Sequence, residues 1–418
     1  MTAEIAILNR VGVALAADSA VTISSNSGDP KTYNSADKLF PLDGDHPVAI
    51  MIHGSAEFMG IPAETIVKGY RASRFNQPQT ELSGYARQFA EFMRHDLPID
   101  HKTILTRIAG VAVDVLATIR SEAEADFREA VAKRRSGKVR TGVFMARRIS
   151  EIIQEQVDKL AAWERIEGID DTNLPAELPD IVSEAISTVL GDGMLDRLPL
   201  IVDLMRLALT RQVNLGGEIG FVFAGFGSDQ IFPAIEAFDC DIALVGGLRI
   251  SRGVSEQISN DQVAVISPFA QSEMVDRFMD GVDTGYIEFV REMVRAALSN
   301  FGSEVAQRLG ADDRPDAKSL AKELAALRDE YVEELGNASF VFRLGNYRHK
   351  ILDVVQFMPK AELAEMAESL VNLTSIKRRV SAEHETVGGP IDVAFVSKYD
   401  GFAWIRRKGI TSTPGRMP

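Results

Sequence analysis

The chain has 418 residues, 45% hydrophobic and 25% charged, with a formal net charge of −14. This is a globular composition that can bury a sizeable core in one large domain or two, and its acidity argues against nonspecific nucleic-acid binding. The single cysteine, Cys240, excludes an intrachain disulfide framework and points to a reducing, cytoplasmic setting; no apolar run is long enough for a membrane span, and no export signal opens the chain.

In chain order, Glu4 to Leu8 reads as a short strand and Asn9-Arg10 as a polar turn. Val11 to Ala17 is a second strand, ending at Asp18-Ser19. A two-residue loop at Asn9-Arg10 pairs Leu8 with Val11 and sets Thr2 opposite Ala17. A three-residue loop sets Thr2 opposite Asp18 itself. Either register brings the beginning of the chain to a carboxylate. A third strand runs from Lys38 to Leu42, the segment 43–47 is a turn, and Val48 to Ile52 completes a hairpin before Gly54.

The chemistry of that end follows from Thr2. It is a small residue directly behind Met1, so removal of the initiator methionine is expected. Removal exposes a hydroxyl and a free α-amine on one residue. An unperturbed α-amine titrates at roughly 7.7–8.0, near the ideal for a general base at neutral pH. A threonine hydroxyl activated by its own amine is a recognised nucleophile. A nearby Lys38 ammonium would disfavour protonation of the amine, and Asp18 could hold Lys38 in place. Gly54 lets the backbone approach an oxyanion closely.

Ser55 to Tyr70 reads as the first helix, with Pro62 interrupting or restarting it. Helical periodicity continues over Glu81 to Arg94, Lys102 to Arg135, Thr141 to Glu164, and one or two helices in Leu174 to Leu215. The expected buried faces are Ile104, Ile108, Val111, Val115 and Ile119, then Val143, Ile149, Ile152 and Ile153. The basic cluster from Lys133 to Arg148 reads as a solvated helix–helix loop, with a docking surface for an acidic partner as the sharper alternative. Strands are expected at Glu218 to Ala224, Ile231 to Ala237 and Gln262 to Ile266, with a turn at Gly246 to Arg249. Gln271 to Asn300 is helical, Ser319 to Glu334 is a charged helix, Ala338 to Leu344 is a strand or helix edge, and Pro359 to Asn372 is a helix. Ile391 to Ser397 and Phe402 to Arg406 form a closing hairpin about an Asp-Gly turn, followed by a frayed tail.

Three blocks carry a resemblance. Thr2-Ala3-Glu4-Ile5-Ala6-Ile7 with Val13-Ala14-Leu15-Ala16-Ala17-Asp18-Ser19, then Asp37-Lys38-Leu39-Phe40, then Ile52-His53-Gly54-Ser55-Ala56 resemble the start of a proteasome β subunit. The resemblance implies an α+β fold, the four-layer αββα sandwich of N-terminal nucleophile hydrolases. Its core would be discontinuous, over 1–80, 216–300 and 338–408, with helical insertions at 81–215 and 301–337 and a tail from 409. It implies that Thr2 is the nucleophile, Asp18 and Lys38 tune and orient it, and Gly54 serves the oxyanion. Ser19, His53, Ser55 and His384 are the candidates to support them. It further implies a peptide or protein substrate, a homo-oligomer with rings included, and a separate ATP-dependent unfoldase as partner. The chain departs from the family pattern in three places. His384 takes the position of a supporting aspartate, Val387 that of a serine, and Ser267-Pro268-Phe269 replaces a glycine-rich turn.

Taken singly, each of these residues has a plainer role: Asp-Ser after a strand is a turn signal, and Lys38 a solvated lysine. Order and spacing together favour a threonine-type hydrolase. The alternatives are a catalytically inactive assembly or scaffold member and a small-molecule amidase. No metal site or cofactor is expected: no paired Cys or His spacing and no phosphate-binding loop occur. Ser35-Ala36-Asp37-Lys38 matches a Ser-x-x-Lys motif, but it lies in a loop leading into a strand, with no Lys-Thr-Gly partner.

Overall fold

The computed structural model describes residues 3–23, 31–43, 46–73, 77–133, 141–308, 317–380 and 388–409. Eight strands come first: β1 (Ala3–Asn9), β2 (Gly12–Ala17), β3 (Val21–Ile23), β4 (Lys31–Tyr33), β5 (Leu39–Asp43), β6 (His46–Gly54), β7 (Glu57–Phe58) and β8 (Ile61–Pro62). Six helices follow: α1 (Ala63–Ala72), α2 (Leu82–His95), α3 (His101–Lys133), α4 (Thr141–Ala161), α5 (Leu178–Val189) and α6 (Leu198–Thr210). Then come β9 (Ile219–Gly225), β10 (Ala234–Leu244), β11 (Gly247–Gln257) and β12 (Ala264–Ala270). The last stretch holds α7 (Glu273–Asp280), α8 (Thr284–Arg308), α9 (Ala317–Arg343), α10 (His349–Val355), α11 (Lys360–Val380), β13 (Asp392–Ser397) and β14 (Gly401–Arg406). The chain is mixed α+β with two five-stranded antiparallel sheets. It divides into two units, one of Met1–Leu39, Ile231–Ala234 and Glu256–Pro418, the other of Phe40–Gln230 and Ile235–Ser255.

In the first unit the strand order is β12-β1-β2-β13-β14. The period of two in a strand sends Ala3, Ile5 and Ile7 of β1, Ala14 and Ala16 of β2, and Val393 and Phe395 of β13 to one face. There they pack on Leu363, Ala367, Leu370 and Val371 of α11 and on Val275 and Met279 of α7. The opposite face, with Glu4, Ala6, Leu8, Val13, Leu15 and Ala17, is also buried. That two-sided burial explains why β1 and β2 read as nearly continuous apolar runs.

The first hairpin corrects the expected register. Asn9 pairs with Gly12 and Glu4 with Ala17, so the loop is Arg10-Val11 and Leu8 does not pair with Val11. Asn9 belongs to the strand because its side chain is fully employed. Its Nδ2 donates to the carbonyls of Val355 and Met358, both at 2.9 Å, and its Oδ1 accepts from the Val11 N–H at 2.9 Å. Ser267-Pro268-Phe269 is likewise not a turn but part of β12, where Pro268 lies opposite Ile5. Proline is tolerated there because β12 is an edge strand.

In the second unit the order is β11-β10-β9-β6-β5. An aromatic cluster seats α1 and α2 on it: Phe89 lies 4.6 Å from Phe221 and 4.9 Å from Tyr70, ring centre to ring centre. Helices α3 to α6 form their own core from Ile108, Val111, Ile119, Ile152, Ile153, Val182, Ile186 and Leu204, with Ile242 and Leu244 of β10 joining it. Val143 departs from its expected place and is 67% exposed. The first helix starts only after Pro62, since two short strands occupy 57–62. Strand β10 begins three residues later than expected, behind Pro233, and β11 occupies a stretch read only as a turn. The expected helix from Gln271 to Asn300 is two, because Gly281 closes α7. Residues 338–343 are helical within α9. Of the basic cluster, Arg147 pairs with Glu151, and Arg148 with Asp126 and Glu155. Residues 134–140 lie outside the described residues.

Arg249 of β11 fastens the helical bundle to the sheet. It is 1% exposed. Its guanidinium donates to both Asp241 oxygens, at 3.0 and 3.2 Å, and to the carbonyls of Ala208, Arg211 and Val213 just at the end of α6. Arg249→Met strands the Asp241 carboxylate and those carbonyls without their cation. A loss of about 3 kcal/mol is expected in urea unfolding followed by far-UV circular dichroism.

Candidate active site

The site lies where β1 begins and β2 ends. The Asp18 N–H donates to the Ala3 carbonyl at 3.1 Å, and the Ala3 N–H donates back to Asp18 Oδ1 at 3.1 Å. The Asp18 carboxylate also accepts the N–H groups of Ala20 at 3.3 Å and Gly388 at 2.9 Å. Lys38 Nζ completes the set at 2.5 Å from Oδ1. The same Nζ stands 3.1 Å from Glu4 Oε1. The carboxylates of Glu4 and Asp18 are fully buried and the Lys38 side chain nearly so. Short charge-assisted bonds in a dry setting hold this ammonium in one place. Ala270, opposite Ala3, has φ of 60°, a left-handed conformation unusual outside glycine that marks local backbone strain beside the same strand end.

A second ammonium stands behind the first. Lys408 Nζ contacts Asp37 Oδ1 at 2.9 Å, Asp392 Oδ2 at 3.0 Å and Ser19 Oγ at 3.1 Å, and it donates to the Ala36 carbonyl. Its backbone N–H donates to Asp392 Oδ1 at 2.7 Å. Ser19 Oγ donates to the Pro390 carbonyl at 2.7 Å. Lys408 therefore ties the end of the β14 segment to the loop that delivers Lys38, and Ser19 is one of its anchors.

In the second unit, Gly54 ends β6 with φ of 81°, and a Cβ there would lie 2.5 Å from the Glu218 carbonyl oxygen, so only glycine fits. The Ser55 N–H donates to that same carbonyl at 2.8 Å, and Ser55 Oγ donates to the Glu57 carbonyl. His53 Nε2 lies 3.6 Å from Asp239 Oδ1. The pair fits because position 220 is glycine: a Cβ there would sit 2.1 Å from the His53 ring.

Burial first, and then the neighbouring Glu218 carboxylate, push the Asp239 carboxyl up from 3.8 to about 6. Burial also raises Glu218, with Asp241 adding to it and Arg249 opposing. A raised carboxyl binds more protons folded than unfolded between about pH 4 and pH 6. Its contribution is therefore favourable at low pH and is lost as pH rises through that window. The full shift corresponds to no more than about 3 kcal/mol, less because the Asp239 side chain is 31% exposed and water screens it. Asp239→Asn should raise stability above pH 6 and flatten the slope of urea midpoint against pH.

Of the residues singled out from sequence, Asp18 and Lys38 meet directly, and Ser19 joins through the Lys408 cluster. Thr2 and His384 lie outside the described residues, as does Val387. Gly54, His53 and Ser55 belong to the second unit. Sequence reasoning missed Glu4, Asp392 and Lys408. Glu4 had a signal, a carboxylate in the middle of an otherwise apolar strand, which is costly to bury unless paired. Lys408 had none, because its partners are 16 to 389 residues away in sequence. Among the described residues no group of His, Cys, Asp and Glu is arranged to hold a metal ion, and no helix is long and apolar enough to cross a membrane. No protein-family model matches the chain, and no curated protein matches it. The functional reading therefore rests on these residues.

Proposed function

We propose that this chain is a threonine-type N-terminal nucleophile hydrolase that cleaves amide bonds in peptides, built on the four-layer αββα sandwich. The observation that carries the reading is the buried Lys38 ammonium, held by Asp18 and Glu4, with the same Asp18 carboxylate accepting the N–H of Ala3, the residue that follows Thr2 in the chain. Thr2 directly precedes Ala3 in the chain, and once Met1 is removed it carries both a hydroxyl and a free α-amine.

In the proposed cycle the amine takes the Thr2 hydroxyl proton, through water, as Oγ attacks the amide carbonyl. The proton is returned to the leaving amine as the C–N bond breaks, leaving an ester on Oγ. Water, deprotonated by the same amine, hydrolyses that ester. Lys38 opposes protonation of the amine and keeps it a base. The resemblance assigns the oxyanion to the backbone at Gly54. The two antiparallel five-stranded sheets are compatible with the sandwich, and self-association and delivery by a separate unfoldase remain implications of the resemblance alone. Intact-mass analysis of the native protein tests the reading: a mature pool without Met1 is expected. A pool that retains Met1 blocks the amine and favours the assembly role instead.

A further inference from the structure

We infer that Lys408 is a positioning residue: its ammonium clamps the loop 34–38, fixes where Lys38 stands, and through Lys38 and the surrounding charge keeps the Thr2 amine a base. Residues 34–38 run between β4 and β5 and belong to neither a strand nor a helix. Such a segment takes its place from tertiary contacts rather than from a ladder of its own. The Ala36 N–H donates to the Ser19 carbonyl at 3.1 Å. The Ala36 carbonyl accepts from Lys408 Nζ, and Asp37 Oδ1 lies 2.9 Å from the same nitrogen. Asn34 comes against Gly389, whose φ of 77° and missing Cβ allow the approach. Lys38 closes the segment onto Asp18 and Glu4.

The other side of the clamp is built into the sheet. Asp392 stands opposite Ala17 in the pairing of β13 with β2, one residue short of Asp18. Its side chain is 4% exposed and both its oxygens serve Lys408: Oδ2 lies 3.0 Å from Nζ, and Oδ1 accepts the Lys408 N–H at 2.7 Å. Ser19, next after Asp18, adds its hydroxyl at 3.1 Å. One buried ammonium therefore touches the residue before Lys38 and the residue after Asp18. Lysine suits the place, because a compact point charge with three rotatable donors can serve oxygens from four directions.

Charge gives the clamp a chemical consequence. Among the described residues, two ammoniums, Lys38 and Lys408, stand with four carboxylates: Glu4 from β1, Asp18 at the end of β2, Asp37 from the loop and Asp392 from β13. Removing the Lys408 cation loosens the loop that delivers Lys38 and leaves one more carboxylate without a counter-charge. Both effects favour protonation of a nearby amine. This consequence rests on the hydrolase reading, whereas the placement of Lys38 does not.

The test has two arms on the full chain. Brief acylation with an N-hydroxysuccinimide ester, followed by peptide mass spectrometry, reads access to Lys38. In Lys408→Met its labelling should rise about tenfold as the loop opens locally, with other lysines and far-UV circular dichroism unchanged. Lys408→Arg keeps the cation and should keep the protection. Peptide hydrolysis against pH reads the consequence. Lys408→Met should lower kcat and move the acidic limb of the profile up by about half a pH unit, whereas Asp37→Asn, whose amide still accepts from Lys408, should move it down by a similar amount. Lys408→Gln retains an amide donor for Asp392 and takes the place of Lys408→Met if that variant does not fold. Unchanged Lys38 labelling overturns the proposal, and so does an acidic limb that stays in place, or moves in the same direction, in both variants. Absence of hydrolysis in the wild type overturns the hydrolase reading instead, and the labelling arm still decides the clamp.

Discussion

Replacing Thr2 by alanine is expected to lower amide hydrolysis by about 10⁴-fold or more, the scale on which losing a nucleophile that acts as a unit with its base is felt. Alanine is also small, so processing of Met1 should proceed and the α-amine should remain. The variant therefore isolates the hydroxyl. The Ala3–Asp18 hydrogen bonds run from the Ala3 backbone to Asp18 and do not depend on the identity of residue 2, and the unfolding free energy should stay within about 0.5 kcal/mol of wild type. Thr2→Ser keeps both functional groups and should retain measurable turnover of the same fluorogenic peptides. A Thr2→Ala protein that hydrolyses them as fast as wild type would move the chemistry elsewhere.

Lys38→Met should affect both stability and rate. Methionine fills similar space but removes the cation that faces Glu4 and Asp18. Two buried carboxylates are then left together. Breaking a buried ion pair on one side costs about 3–5 kcal/mol, and the upper end is expected here because two anions lose one partner. Asp18 keeps the N–H donors of Ala3, Ala20 and Gly388, whereas Glu4 faces Lys38 in the same buried pocket. Glu4→Gln in the same chain should therefore recover part of the stability but none of the activity. Urea unfolding and peptide hydrolysis on the single and double variants separate the two effects. Full activity in Lys38→Met would contradict the tuning role given to the ammonium.

Much of the fold was legible wherever one periodicity was uncontested. The helices from α2 to α6 follow their apolar spacing, and β1, β2, β9 and β13 follow their runs. The misplacements have physical causes that local patterns do not carry. Asn9 looks like a turn residue until the carbonyls of Val355 and Met358 engage it from far along the chain. Pro268 looks like a breaker until β12 proves to be an edge. Helices α8 and α9 leave many apolar side chains exposed, Tyr286, Phe289, Phe340 and Phe342 among them, which blurs the contrast between faces on which helix boundaries are judged. At the site, the Asp18–Lys38 contact was readable from the resemblance that the Asp18-Ser19 and Asp37-Lys38 segments carry. The Glu4 and Lys408 ionic contacts were not, because charge pairing between distant segments leaves no periodic trace.

The most direct test of the central claim is covalent labelling with a threonine-directed electrophile, with the adduct located by peptide mass spectrometry in wild type and Thr2→Ala. A single adduct on Thr2 of a peptide lacking Met1, absent from the variant, is the predicted result. Equal labelling of both proteins would contradict it.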